Sequence, residues 1–323
     1  MTGEKINLII LKECSDIGNE PIIEKCMEWG ILKREVNCPA CAKDNYISKM
    51  KLRKDVSLLE GYKWSCNKLR SKNKKKRKRC SFSMSLRGRT FFGNSKLPIW
   101  RILSFIHLWT KNVSTEVMSE ELEMSKATVL DWCSFCREVT YDAMMVRNKK
   151  IGKKCSKVQL GKYKFGEKRC NKGKVVEGQW ALGGIDELSG EIFMATVEKI
   201  TSETLIQIIQ KYVESGTTIV SNLWKELDCL KEEGFEQLKM NNEMNFIIPD
   251  TGSQTLKIDA VFRAAKTSLL RCHKNNEFFS GHVSKYLFDK SCKLRNLNPF
   301  IEFCKEAGNL YNPDKKETDP EII

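Results

Sequence analysis

At 323 residues, with 41% hydrophobic and 30% charged side chains, the chain is sized and composed for a globular protein of two domains, or of one domain with an appended module. No stretch approaches the roughly 20 apolar residues of a membrane span, and the opening "MTGEKINLIILKEC" has charges on both sides of a short apolar run, so neither a membrane segment nor a secretory leader is expected and residence inside the cell is. The formal charge of +15 points to a polyanionic partner, most simply nucleic acid, because neutralising phosphates releases condensed counterions.

That charge is uneven. Residues 1–80 hold 20 Lys+Arg against 10 Asp+Glu, two thirds of the whole excess. A solvated surface or a nuclear-localisation tract is the blander reading of the same residues. Fourteen cysteines in an intracellular chain argue for thiols and metal ligands rather than a disulfide framework.

In chain order, residues 1–35 form a helical segment around "PIIEKCMEWGIL", and Cys38 opens a new module over 36–95. "CPAC" places Cys38 and Cys41 on one tight knuckle, and "WSC" and "KRC" add Cys66 and Cys80. Four thiolates fit a closed tetrahedral zinc site, although thirteen residues, nine of them basic, separate the last two cysteines. Reduced structural cysteines are the alternative. With zinc bound, the insertion is held at both ends and projects Lys74, Lys75, Lys76, Arg77, Lys78 and Arg79 toward phosphates.

Residues 96–147 have helical period, with Leu97, Ile99, Ile102, Leu103, Ile106 and Leu108 in one segment and Val129, Trp132, Cys133, Cys136 and Val139 in another. "STEVMSEELEMSKATVLDWCSFCREV" reads as a helix-turn-helix whose second helix starts at Ser125 and offers Lys126, Thr128 and Asp131 on its outer face. A plain three-helix bundle fits the same pattern. Cys133 and Cys136, at i and i+3 on an apolar face, read as core, and His107, His273 and His282 as structural. Residues 148–156 are a basic linker, and the main domain boundary falls there.

From 157 the pattern turns to strands: "KVQLG", "VVEGQWALGGID" and "EIFMATVEK", the last two joined by the "ELSG" turn. A helix capped by Thr201 follows, with Glu203 in its first turn, then the strand "TTIVSN", a helix "LWKELDCLKEEG", the strand "EQLKM" and a long helix from about Lys257. The order β-β-β-α-β-α-β-α over 157–290 is that of a ribonuclease-H-like core, a mixed sheet with flanking helices. Residues 291–323 are read as a C-terminal tail. The fold class is thus α/β, with a zinc ribbon and a helix-turn-helix ahead of the ribonuclease-H-like sheet.

At "KFG", "NKG", "VEGQW" and "GGID", and again at "SETL", "GTTI" and "PDTG", the chain resembles the Merlin-type DDE transposases and the related bacterial insertion-sequence (ISXO-like) transposase domain, over about residues 36–290. The resemblance implies cut-and-paste DNA chemistry in which three acidic residues hold two divalent ions. It also shows where this chain departs. The first aspartate of the family falls on Gly161, the second on Asn222 inside "TIVSNLWK", and the third acid on Asp259 of "LKIDAVF".

Magnesium usually needs one or two carboxylates; glycine offers no ligand and Asn222 only a neutral carbonyl oxygen. Lys162, next to Gly161, is expected to repel a second ion, and recruitment of Asp186 or Asp250 as a substitute is not expected. Zinc is therefore expected as a structural ion, and magnesium is not expected to be held productively. The partner is double-stranded DNA, with neither a membrane nor a small-molecule substrate; homo-oligomerisation comes with the resemblance, and a nuclear location with the DNA. The reading is a transposase-derived DNA-binding protein without nuclease activity. An active transposase with displaced ligands and a protein-interaction scaffold remain as alternatives.

Overall fold

The computed structural model describes residues 6–71, 77–147, 149–166, 168–169, 175–176, 178–222, 230, 233–240, 257–269 and 279–314. The chain divides into two compact units, Met1–Val139 with Asn298–Ile323, and Thr140–Leu297. Among the described residues no helix is long and apolar enough to cross a membrane.

The first unit opens with α1 (Leu8–Ile17), whose first turn is capped by the Asn7 side chain accepting from the Ile10 amide at 2.8 Å, and α2 (Asn19–Glu28). The short α3 (Pro39–Lys43) leads into five small strands, β1 (Lys51–Lys54), β2 (Tyr62–Ser65), β3 (Leu69–Ser71), β4 (Arg77–Arg79) and β5 (Ser83–Ser85). β1, β2 and β5 form an antiparallel sheet with Leu52, Trp64 and Met84 in one cross-strand row, and β3 pairs with β4. At the exit of β5 the buried Arg87 pairs with buried Glu60 and donates to the carbonyls of Ser95 and Leu97. Breaking such a pair would strand a charge in the interior, so it holds the ribbon to the segment ahead of the next helix.

That helix, α4 (Ile99–Thr110), is buried nearly all round, including Ile99, Ile102, Leu103, Ile106 and Leu108, as a helix central to its unit must be. It carries His107, which burial and then Lys111 hold below the usual imidazole range, in keeping with a structural role. α5 (Thr115–Glu121) and α6 (Lys126–Tyr141) follow, with Glu123 in the left-handed region between them. The expected tail carries a further helix, Pro299–Leu310, started by Asn298 capping the Phe300 amide and by Pro299 in the first turn. Its Phe300 packs edge-on against Trp29 at 5.1 Å, and its Phe303 meets Phe91 and Trp109 at 5.7 and 5.6 Å. The C-terminal segment thus completes the core of the N-terminal unit.

The second unit starts in the last turn of α6, and a π-helical turn, Asp142–Val146, continues it. In the basic linker Ile151 is buried and bridges to Val213, so one apolar residue anchors it. The sheet strands are β6 (Lys157–Phe165), β9 (Gln179–Asp186), β10 (Ile192–Val197), β11 (Thr218–Asn222) and β12 (Glu236–Met240), with the two-residue pair β7 (Lys168–Arg169) and β8 (Val175–Val176) between β6 and β9. Their order is β10-β9-β6-β11-β12; β10–β9 and β9–β6 are antiparallel, β6–β11 and β11–β12 parallel. The helix expected after β11 falls largely outside the described residues.

Alternation along the strands sends side chains to two cores. On one face α7 (Ser202–Tyr212), capped by Thr201 as expected, packs Leu205, Ile209 and Tyr212 against Val158, Leu160, Leu182 and Phe193. On the other, α8 (Lys257–Leu269) and α9 (Phe279–Leu294) pack Ile258, Phe262, Ala265, Val283 and Leu287 against Phe165, Ala181 and Met194. The C-terminal helix, α10 (Pro299–Leu310), belongs to the first unit.

One close approach in the first unit gives a signed test. A Cβ on Gly308 of α10 would run into the Gly30 carbonyl and lie 3.1 Å from Ile31 Cα. In an open helix Gly→Ala stabilises by about 1 kcal/mol. Here Gly308→Ala is expected to destabilise by about 2 kcal/mol, because backbone must separate from backbone, and urea unfolding reads the sign.

Candidate functional site

The sulfurs of Cys38, Cys41, Cys66 and Cys80 lie within 4.8 Å of one another, and all four residues are buried. Cys38 Sγ is 3.8 Å from Cys80 Sγ and Cys41 Sγ is 3.6 Å from Cys66 Sγ. These separations are far beyond a disulfide bond. They match the edge of a tetrahedron with metal–sulfur bonds of about 2.3 Å, which is about 3.8 Å. Donor type, number and spacing therefore fit a structural zinc ion.

Two different backbone devices aim the thiols. Cys38 and Cys41 flank the first turn of α3, with the Cys38 amide on the Ser48 carbonyl and the Tyr46 amide on the Cys41 carbonyl. Cys66 and Cys80 are diagonal neighbours across an interrupted hairpin, level with Phe82 and Lys68 respectively. The ladder runs β2–β5, breaks, and resumes as β3–β4, and at the break the Cys66 amide donates to Phe82 and the Cys80 amide to Lys68. Strand pairing thus does for these two what a two-residue spacer does for the first pair, which accounts for the irregular spacing.

Among the thiols themselves burial pushes Cys38 up to about 12, with the neighbouring thiols adding to it. Burial also opposes ionisation of Cys66, but the Ser48 hydroxyl 3.4 Å away, the Lys68 amide and the nearby thiols outweigh it and bring Cys66 to about 7. A divalent ion would favour all four thiolates. Cys133 and Cys136 are buried on α6, and burial raises the Cys133 thiol, so both serve as core.

Arg77, Lys78 and Arg79 form β4, with Arg79 exposed, at the end of the hairpin beyond the cysteines; Lys74, Lys75 and Lys76 lie outside the described residues. Lys126 is exposed at the start of α6, whereas the Thr128 hydroxyl is engaged at 2.8 Å with Ser125, which also caps the Thr128 amide. Over residues 114–134 Lys126 stands against five acids, Glu116, Glu120, Glu121, Glu123 and Asp131. Val117, Leu130 and Phe135 are also exposed on these two helices.

The three replaced or retained acidic positions come together in the second unit. Gly161 lies on β6; Asn222 ends the neighbouring parallel strand β11, one residue past the Ser221–Leu160 pair and so level with Gly161; Asp259 sits in the first turn of α8, which packs over the same sheet face. Position 161 has no room for a side chain. A Cβ there would lie 2.9 Å from Phe262 Cε2 and 3.1 Å from both γ carbons of Ile258. The neighbouring Gly183, paired with Gly161 across β6–β9, would meet the Phe262 Cζ at 2.9 Å. One phenyl ring therefore rests on two facing glycines, and Tyr163 stacks on it at 5.6 Å and 19°.

The register bears on one expectation about neighbours. Lys162 follows Gly161 in a regular strand and so points to the opposite face, toward Leu160 and Leu182, and its expected repulsion of an ion at Gly161 is withdrawn. Asp186 is buried in the β9–β10 turn, accepting from the Leu188 amide and the Ser189 hydroxyl, in keeping with a turn role. Asp250 lies outside the described residues. Gln159 stands where the resemblance would put a flanking acid, and no structural role was expected of it. Two residues before Gly161 on the same face, it accepts from the Ile258 amide at 3.4 Å and donates to Glu187 at 2.6 Å, and so helps seat the start of α8. Its signal was its place two residues from Gly161 on a strand.

No protein family's model matches the chain, and no curated protein matches it. Among solved structures, one of the catalytic core domain of BIV integrase matches 41% of this chain and 80% of that chain, at 15% identity with a TM-score of 0.28, a weak likeness.

The thiol cluster gives a direct expectation. Purified protein should carry about one zinc per chain by mass spectrometry, and Cys66→Ser or Cys80→Ser should reduce that to a small fraction. Metal-bound thiols have their pKa depressed relative to the unfolded chain. The stabilisation by zinc is therefore complete at high pH and lost as pH falls through the holo-protein's thiol pKa, with zinc release and loss of the thermal transition of the first unit following the same acid titration.

Proposed function

We propose that the protein is a transposase-derived DNA-binding protein that performs no nuclease or strand-transfer chemistry. The observation that carries the second half is the Phe262 ring on Gly161 and Gly183: the first acidic position is closed as well as replaced. Two ions cannot be organised by Asp259 and the neutral amide of Asn222 alone, since hard cations take charge and oxygen ligands together. The strand order, with the first three strands antiparallel and the last two parallel to the first, supports the ribonuclease-H-like reading and, with the motif resemblance, the transposase origin.

DNA binding rests on the basic hairpin rather than on the pair of helices. β3 and β4 carry Arg70, Arg77, Lys78 and Arg79 on a two-stranded ribbon founded on the four-cysteine cluster, which zinc would lock. The helix-turn-helix is better suited to a protein contact, given its acids and its exposed Val117, Leu130 and Phe135. That surface favours the scaffold as a second reading. A nuclear location follows from a DNA partner.

Duplex binding should weaken steeply as salt rises, with no nick in magnesium or manganese. Metal-dependent cleavage by the native chain would overturn the proposal in favour of displaced ligands. Failure to bind duplex, with a stable protein partner co-purifying, would favour the scaffold. Gly161→Asp should destabilise the second unit by about 1–3 kcal/mol through overpacking against Phe262, and Gly161→Asp with Asn222→Asp should remain inactive.

A further inference from the structure

Around the one retained acid, α8 arranges cations. Asp259, Phe262, Arg263 and Lys266 follow i, i+3, i+4, i+7 spacing and share one flank of the helix. Phe262 is the buried edge of that flank, lying on Gly161 and Gly183. Arg263 and Lys266 are exposed. Lys266 Nζ stands 5.9 Å over the ring of Tyr163, which itself stacks on Phe262, so the lysine is placed beside the strand that carries Gly161. Arg263 Nε is turned to the Asp259 backbone carbonyl at 3.4 Å, and among the described residues neither cation pairs with a carboxylate.

We infer that this flank is a metal-independent contact for the phosphate backbone of duplex DNA, in which Arg263 and Lys266 supply the positive charge. The inference rests on the DNA-binding reading and adds a second contact, on the other unit, to the basic hairpin. An acidic cluster can approach a phosphate only through bound cations, whereas this flank holds two fixed cations for one carboxylate. The guanidinium can grip a phosphate with two parallel hydrogen bonds and the ammonium acts as a point charge beside it. Tyr163 and Phe262 back the site with an apolar wall that keeps the lysine in place through its cation–π contact.

The test is duplex binding by the full chain across a salt series, in EDTA and in magnesium. Native protein should bind equally with and without the metal. Arg263→Gln with Lys266→Gln should lower the magnitude of the salt slope by about 2 and weaken binding by roughly tenfold or more. Lys257→Gln with Lys293→Gln removes the same net charge away from the flank and should stay near native. All four side chains are exposed, and circular dichroism checks that each variant is folded. The inference is overturned by an unchanged slope in the Arg263/Lys266 variant, by an equal loss in the Lys257/Lys293 variant, or by a native chain that needs magnesium to bind. Lys74→Gln with Lys75→Gln and Lys76→Gln separates the two readings: if it alone abolishes binding while the α8 variant is native-like, the hairpin reading stands and this one falls. A native chain that binds no duplex removes both.

Discussion

The second unit is organised by the contact of one phenyl ring with bare backbone. Phe262 can reach the sheet only because Gly161 and Gly183, paired across β6 and β9, present no side chains. Helix α8 settles at that depth, Ile258 beside it and Ala265 and Leu269 following down the same stripe, and Gln159 ties its first turn to the strand. Everything proposed for the site is set by this distance. An aspartate at position 161 and a phenylalanine at 262 are alternatives for one volume, in a core where a single methylene is felt.

The two units present positive charge by different routes. In the first, hairpin strands too short to hold one another, three residues each in β3 and β4, are founded on four sulfurs close enough for one ion. In the second, a well-packed helix offers its exposed flank. The helical pair α5–α6, by contrast, carries more acidic than basic residues. Net charge summed over a chain hides such local reversals, and a +15 protein can carry an acidic face.

Much of this is legible in the amino-acid sequence. Among the described residues of the second unit the strands of the main sheet, α7 and α8 follow from periodicity, Thr201 announces its helix as a cap, and the four cysteines can be chosen from fourteen by one knuckle and a basic spacer. The diagonal placement of Cys66 and Cys80 across the hairpin is not, because it depends on the register of a ladder with a break. The opposite facing of Lys162 was available from alternation alone and needed only the register to be trusted. The α10 signal was also present: Asn298 and Pro299 start a helix whose Phe300, Phe303, Cys304 and Ala307 repeat on one face. Its destination, the core of the other end of the chain, is a long-range fact that local pattern does not carry. The filling of position 161 lies at the same limit, since a sequence names the glycine but not the ring above it.

The interrupted hairpin has a consequence in entropy. Closing Cys66 and Cys80 onto one ion ties off a loop of thirteen intervening residues, a constraint comparable to a short disulfide loop and worth about 3 kcal/mol of chain freedom. With the ion in place that freedom would already be lost, and the basic segment would have less left to order. Chelation of the ion, with the thiols left reduced, would return it. The stiffness of this basic segment would then depend on the metal state of four buried sulfurs, with every lysine and arginine unchanged.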